Sequence, residues 1–99
     1  MINLIEVSCM ATEELWYGCR NATSEYFAMQ LRKAGDDALG RWIKKHGGID
    51  NFKLRVIATY AKQLPAIAHA NKLIVEAMDQ NRAINPGPLS VSNKRNAPI

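Results

Sequence analysis

Hydrophobic and polar positions change period along this chain, and each change marks an element. From Ile2 to Ser8 the residues are rich in Ile, Leu and Val; from Glu14 to Cys19 they alternate, with Leu15, Tyr17 and Cys19 on one side and Glu14, Trp16 and Gly18 on the other. Both stretches predict short β-strands. The Cys9–Glu13 connection between them is short, which makes an antiparallel hairpin the simplest topology. Gly18 inside a strand predicts a bulge or a close backbone approach. Asn21 to Ser24 then offer helix-capping side chains, with Glu25 in the first turn where a negative charge suits the helix dipole. Tyr26, Phe27, Met29, Leu31 and Ala34 carry that helix to Gly35.

Asp36 and Asp37 cap a second helix. Ala38, Leu39, Trp42, Ile43 and His46 recur at helical spacing, while Arg41, Lys44 and Lys45 fall on the opposite side. Gly47 and Gly48, directly after basic residues, give the expected C-terminal stop. From Phe52 the period becomes two: Phe52, Leu54, Val56, Ala58 and Tyr60 are expected on one face, and Lys53, Arg55, Ile57 and Thr59 on the other. This is a half-buried strand with a basic outer edge.

Pro65 suits the first turn of a last helix, where a missing amide donor costs nothing. Leu64, Ile67, Ala68, Asn71, Ile74, Val75 and Met78 predict its buried stripe. Asn71 is the polar member. A buried amide must find partners or cost on the order of 1–3 kcal/mol, so it is a satisfied core residue or part of a site, and from the residues alone the core role is favoured. The remainder, Asn85 to Ile99, is NPGPLSVSNKRNAPI and has no periodicity. It reads as a tail, extended or disordered over 86–99, after a single domain spanning 1–85.

Composition narrows the function classes. Ninety-nine residues, 47% of them hydrophobic, support one modest core. The N-terminal MINLIEVSCM has neither the basic start nor the long apolar run of a signal peptide, and no stretch is long enough to cross a membrane, so a soluble cytoplasmic protein is expected. Asn21-Ala22-Thr23 therefore matches the glycosylation pattern by chance. Cys9 and Cys19 lack metal-finger spacing and read as buried thiols. Residues 1–50 hold six Lys/Arg against seven Asp/Glu, and residues 51–99 hold seven against two, which together make the net +4. The second half thus carries the positive field, which invites an anionic partner or simply keeps the surface solvated.

Other chemistry is sparse. His46 and His69 have no partner at metal-ligand spacing, and neither cysteine has an activating base nearby in sequence. No glycine-rich phosphate loop occurs. Trp16, Tyr17, Tyr26, Phe27 and Trp42 are expected mainly in the core rather than as stacking platforms.

The order strand, strand, helix, helix, strand, helix, together with Trp16-Tyr17-Gly18, the IKKHGGIDNF run and the helix leading to Ile84-Asn85-Pro86-Gly87, resembles the GIY-YIG nuclease domain over about residues 2–87. The resemblance implies an α+β fold: a small three-stranded antiparallel sheet flanked by three helices (β-β-α-α-β-α). In that family one glutamate on the last helix holds a divalent metal, tyrosines from two strands manage the water, and an arginine from the first helix binds the phosphate. Carried over by position, those places fall here on Ile5, Trp16, Tyr26 and Asn71, so the site is degenerate. A neutral amide oxygen is a weak ligand for magnesium. Glu76 lies about 140° around the helix from Asn71, at about 100° per residue.

The expected function is therefore non-catalytic: an accessory protein of phage or mobile-element type that binds and modulates a host DNA-processing enzyme, or binds DNA, without a cofactor or metal. Lys44, Lys45, Lys53, Arg55, Lys94 and Arg95 are the candidate binding residues. Two alternatives are a divergent metal-dependent endonuclease, in which a shifted alignment recruits Tyr17, Arg32 and Glu76 with Mg²⁺, and a helical structural or assembly module.

Overall fold

A computed structural model of the chain describes residues 1–33 and 37–89. Its elements are β1 (Ile2–Cys9), β2 (Leu15–Arg20), α1 (Ser24–Arg32), α2 (Ala38–Lys45), β3 (Phe52–Tyr60) and α3 (Gln63–Asp79), with a single 3-10 turn over Ile49–Asn51 before β3. The three strands form one antiparallel sheet in the order β2-β1-β3. The expected α+β architecture is therefore the observed one, and a purely helical module is overturned by the sheet. Among the described residues no helix is long and apolar enough to cross a membrane.

Local chemistry sets the element ends. The Thr23 hydroxyl accepts from the Tyr26 amide and starts α1; the Asp37 carboxylate accepts from the Gly40 amide at 2.8 Å and starts α2. At the end of α2, Gly47 and Gly48 take φ of 94° and 100°, and the Gly48 N–H returns to the Ile43 carbonyl. Those angles lie in the left-handed region that favours glycine.

The central strand has a helix layer on each face. On one side Ile5, Val7 and Cys9 pack with Phe27 and Leu31 of α1, Leu39, Trp42 and Ile43 of α2, and Phe52. On the other, Leu4 joins Leu15 and Tyr17 of β2 under Ala70, Ile74 and Ala77 of α3. Neighbours along β1, Leu4 and Ile5, are both fully buried, one against each layer.

Two expected faces are corrected. β3 does not alternate strictly from Phe52 to Tyr60, because the pairing with β1 slips between Leu4 and Ile5: Leu4 opposes Ala58 while Ile5 opposes Val56. The extra residue reverses the pattern, as a bulge does. Phe52 and Leu54 pack on the α1/α2 side and Ile57 on the α3 side, as expected, whereas beyond the slip Ala58 opposes Leu4 and Tyr60 meets His69 of α3, the face opposite Phe52; Val56 is exposed. In α3 the buried face is Ala66, Ile67, Ala70, Ile74 and Ala77, with Leu73 beside it, while Leu64, Ala68, Val75 and Met78 of the expected stripe are exposed. Alanines let the helix approach the sheet closely, so small residues rather than the largest apolar ones mark the packed side. On α1, Tyr26 and Met29 are likewise exposed, and Phe27 and Leu31 are buried.

After α3 the chain returns along the free edge of β2. The Leu15 amide donates to the Arg82 carbonyl at 2.7 Å and the Ile84 amide to the Leu15 carbonyl at 2.8 Å, in a parallel bridge. Asn85, the buried polar residue of the core, extends this edge with its side chain: Oδ1 accepts from the Tyr17 amide and Nδ2 donates to the Tyr17 carbonyl, both at 2.9 Å. Asn85→Ala leaves two buried main-chain groups unpaired and is expected to lower stability by about 2 kcal/mol, read from the urea-unfolding midpoint. Asn85→Asp, which loses the donor, is expected to fall well below the wild type in the same measurement.

Candidate functional site

The four positions that the resemblance singles out lie in three environments. Ile5 is fully buried beneath α1 and α2. Trp16 shares that face: its ring stacks on Phe27 with centroids 5.8 Å apart and lies over Gly18, where any Cβ would collide with the indole. The expected close approach at Gly18 is thus made by a side chain. Tyr26 is 53% exposed on α1. Asn71 is half-buried on α3, on the other side of the sheet, and both ends of its amide are occupied by one residue of the returning chain. Nδ2 donates to the Leu89 carbonyl at 2.9 Å, and Oδ1 accepts from the Leu89 amide at 2.6 Å.

A guanidinium that sequence reasoning missed stands beside Trp16. Arg20, at the end of β2, lies 5.4 Å from the ring centroids of both Trp16 and Phe27, and its Nη1 donates to the Cys19 carbonyl. Stacking on two aromatic faces holds a cation in place while leaving other N–H donors turned outward. The nearby Cys19 is not an activated nucleophile, because burial raises its thiol pKa despite the opposing charge of Arg20.

Tyr17, Arg32 and Glu76, the set required by a shifted alignment, are not brought together. Tyr17 and Glu76 line one polar cavity of about 370 Å³ between the sheet and the end of α3, together with Glu6, Arg55, Gln80 and Arg82. Arg32 sits at the end of α1 in an exposed ion pair with Asp50 at 3.3 Å, lining a second depression. Within the polar cavity the register places Glu6 between Tyr17 and Arg55 on neighbouring strands. The Tyr17 hydroxyl donates to Glu6 Oε2 at 2.7 Å, and Arg55 Nη2 donates to Oε1 at 3.2 Å. Among the described residues Glu76 has no ion-pair partner.

This row holds the Tyr17 proton tightly. Burial pushes its pKa well above the ordinary tyrosine value, the hydrogen bond to Glu6 and its charge add to the rise, and Arg82 and Arg55 oppose it. A phenol so held is a poor general base near neutral pH.

The remaining candidates divide between surfaces. Lys44 and Lys45 are exposed on α2; Lys53 and Arg55 are exposed on β3, opposite Ser8 and Glu6 on the α3 side of the sheet. Lys94 and Arg95 lie outside the described residues. His46 stacks edge-on to Phe52 with Nε2 3.8 Å from Glu14, whose Oε1 also accepts from Trp42 Nε1 at 3.1 Å. His69 Nδ1 lies 2.7 Å from the Tyr60 hydroxyl. Among the described residues no group of three His, Cys, Asp or Glu side chains is placed to hold a metal ion.

The fold has a solved counterpart. The catalytic domain of the intron endonuclease I-TevI, in a glutamate-to-alanine mutant, is similar with a TM-score of 0.68 and 16% identity, over 93% of this chain and 100% of that one. The resemblance to the GIY-YIG nuclease domain therefore holds at the level of the fold. No family model matches the sequence, and no curated protein does.

The raised Tyr17 pKa has a signed consequence. The unfolded chain releases this proton near pH 10, whereas the folded protein retains it, so above that pH the unfolded state binds fewer protons and stability falls. The contribution is complete below about pH 10 and is lost above it. Of the three tyrosines, Tyr17 is expected to ionise last in a phenolate absorbance titration. Tyr17→Phe is expected to remove that late step and to flatten the alkaline fall in stability.

Proposed function

We propose that this chain is a GIY-YIG-type domain that works by binding rather than hydrolysis: an accessory protein of the phage or mobile-element type that docks on a DNA-processing enzyme or on DNA. The observation that carries the reading is the state of Asn71. At the position where the family places its metal-holding glutamate, a neutral amide spends both donor and acceptor on Leu89. Magnesium favours charged oxygens in a near-octahedral shell. Asn71 offers no charge, and both oxygens of Glu6 are already engaged by Tyr17 and Arg55. Among the described residues, Glu76 is the one carboxylate of the polar cavity without an ion pair. This donor set does not fit the metal.

The substitutions at Ile5 and Trp16 support the same reading, since an aliphatic chain and an indole in those places move no proton. Exposed cations remain. Arg20 is prearranged on two rings, and Lys44 and Lys45 stand on α2, so the scaffold keeps the means to meet a phosphate or an acidic protein after losing the means to cut.

The alternative, a divergent nuclease, rests on the shared cavity of Tyr17 and Glu76 with Arg55 and Arg82. Against it stand the tightly held Tyr17 proton and the position of Arg32 away from that cavity. The test is nicking of supercoiled plasmid in Mg²⁺. The expected result is no conversion above buffer for the wild type and for Glu76→Ala alike, with retention of short duplex DNA or of an acidic protein partner in a binding assay at low salt. Magnesium-dependent nicking by the wild type that disappears in Glu76→Ala would overturn the proposal. Asn71→Glu is expected not to restore cutting and to lose about 1–2 kcal/mol, because a carboxylate facing the Leu89 carbonyl replaces a donor with a repelling acceptor.

A further inference from the structure

The depression beside Arg32 has a composition that the proposed function does not use. It encloses about 270 Å³ between the ends of α1 and α2 and the 3-10 turn. Leu31, Ile43 and Ile49, all buried core residues, form its apolar floor; Arg32, Lys44 and Asp50 stand at the rim, with Gly48 between. Arg32 is tied to Asp50, whereas Lys44 has no ion-pair partner among the described residues. Nothing stands within 4 Å of where a Gly48 Cβ would be, so the main chain there is open to an approaching segment.

We infer that this depression is a docking pocket for an acidic segment of a partner protein, which inserts one or two apolar side chains between Asp or Glu residues. The inference rests on the reading of the chain as a binding module and names the chemistry of its partner. The volume admits a leucine or phenylalanine side chain, and the floor gives that side chain an apolar surface that a sugar–phosphate backbone would not use. The uncompensated charge of Lys44 complements carboxylates flanking the anchor and disfavours a second copy of this surface. Asp50, already tied to Arg32, keeps an oxygen that can accept a peptide N–H.

The probe is a fluorescein-labelled nine-residue peptide of Asp and Glu around a central Leu-Phe pair, titrated into the full chain with amide chemical shifts and anisotropy as readouts. Two controls are run beside it, the same peptide with a central Ser-Ser pair and a twelve-base-pair DNA duplex. The expected result is shifts centred on Leu31, Lys44, Gly48 and Ile49, with binding at least about tenfold tighter than the Ser-Ser control, the lower end of what burying an apolar side chain supplies. Lys44→Glu, an exposed change that leaves the core untouched, is expected to weaken binding about fivefold or more at low salt, a difference from the wild type that shrinks as salt is raised. Equal binding of the Ser-Ser peptide, shifts confined to other surfaces, or the same shifts with duplex DNA and none with the peptide would each overturn the pocket. Such a failure is separable from failure of the binding-module reading, which is decided by the nicking assay and does not involve this peptide.

Discussion

The middle strand of the sheet has no solvent side, and the rest of the structure answers that constraint. β1 is paired on both edges and covered on both faces, so each of its residues must be apolar or satisfied from a neighbouring strand. Leu4, Ile5 and Val7 meet the demand by burial alone. Glu6 cannot, and its two oxygens are met by a tyrosine from one neighbour and an arginine from the other. Breaking either contact would leave a carboxylate that is largely shielded from water without its partner, which costs more than the pair contributes when intact. The same constraint explains why Ile5 is a core residue: under α1 and α2 it has no water to activate.

The outer edge of β2 is closed by a second device, used twice. A primary amide carries a donor and an acceptor side by side, the same pair that a peptide group offers a neighbouring strand. Asn85 uses it on the two main-chain groups of Tyr17, and Asn71 uses it on those of Leu89. Between them they hold the returning chain from both sides, one amide reaching from the returning segment to the sheet and the other from α3 to that segment. A glutamate at either place could accept but not donate. The amide at position 71 is thus explained by main-chain hydrogen bonding, a role that excludes the charged ligand expected there by family analogy.

Much of this was legible in the sequence because it depends on local chemistry. Thr23 and Asp37 as caps, Gly47 and Gly48 as a stop, and a strand from Phe52 each have causes that reach only a few residues. The errors share one origin, which is that a partner surface decides them. The slip opposite Leu4 and Ile5 is a property of two paired strands and leaves no mark in either sequence. On α3 the expected stripe and the buried side share Ile67 and Ile74, but periodicity of large apolar residues carries no signal for Ala66, Ala70 and Ala77, which the sheet takes into close contact. For the site, the residue types at Ile5, Trp16, Tyr26 and Asn71, the positions that the resemblance singles out, are readable directly from the sequence. The Tyr17–Glu6–Arg55 row and the seat of Arg20 were not, since both require knowing which residues face each other across strands or between a strand and a helix.

Distribution of charge, more than its total, connects the fold to the proposed role. The excess of Lys and Arg in the second half of the chain suggested one positive surface, but folding divides the cations among different tasks. Arg55 is drawn into the polar row with Glu6, Arg82 bonds the Glu13 carbonyl and Gln80, and Arg32 pairs with Asp50. Each of these has part of its charge answered within the molecule. Lys44 on α2 has no ion-pair partner among the described residues, and it stands with the paired Arg32 at the rim of a floor of Leu31, Ile43 and Ile49. An uncompensated charge beside an apolar-floored depression offers a partner both electrostatic steering and a place to seat a side chain, whereas a compensated charge offers less steering. That difference is the physical ground for proposing a recognition surface on the α1/α2 side of the sheet rather than at the polar cavity that a nuclease would use.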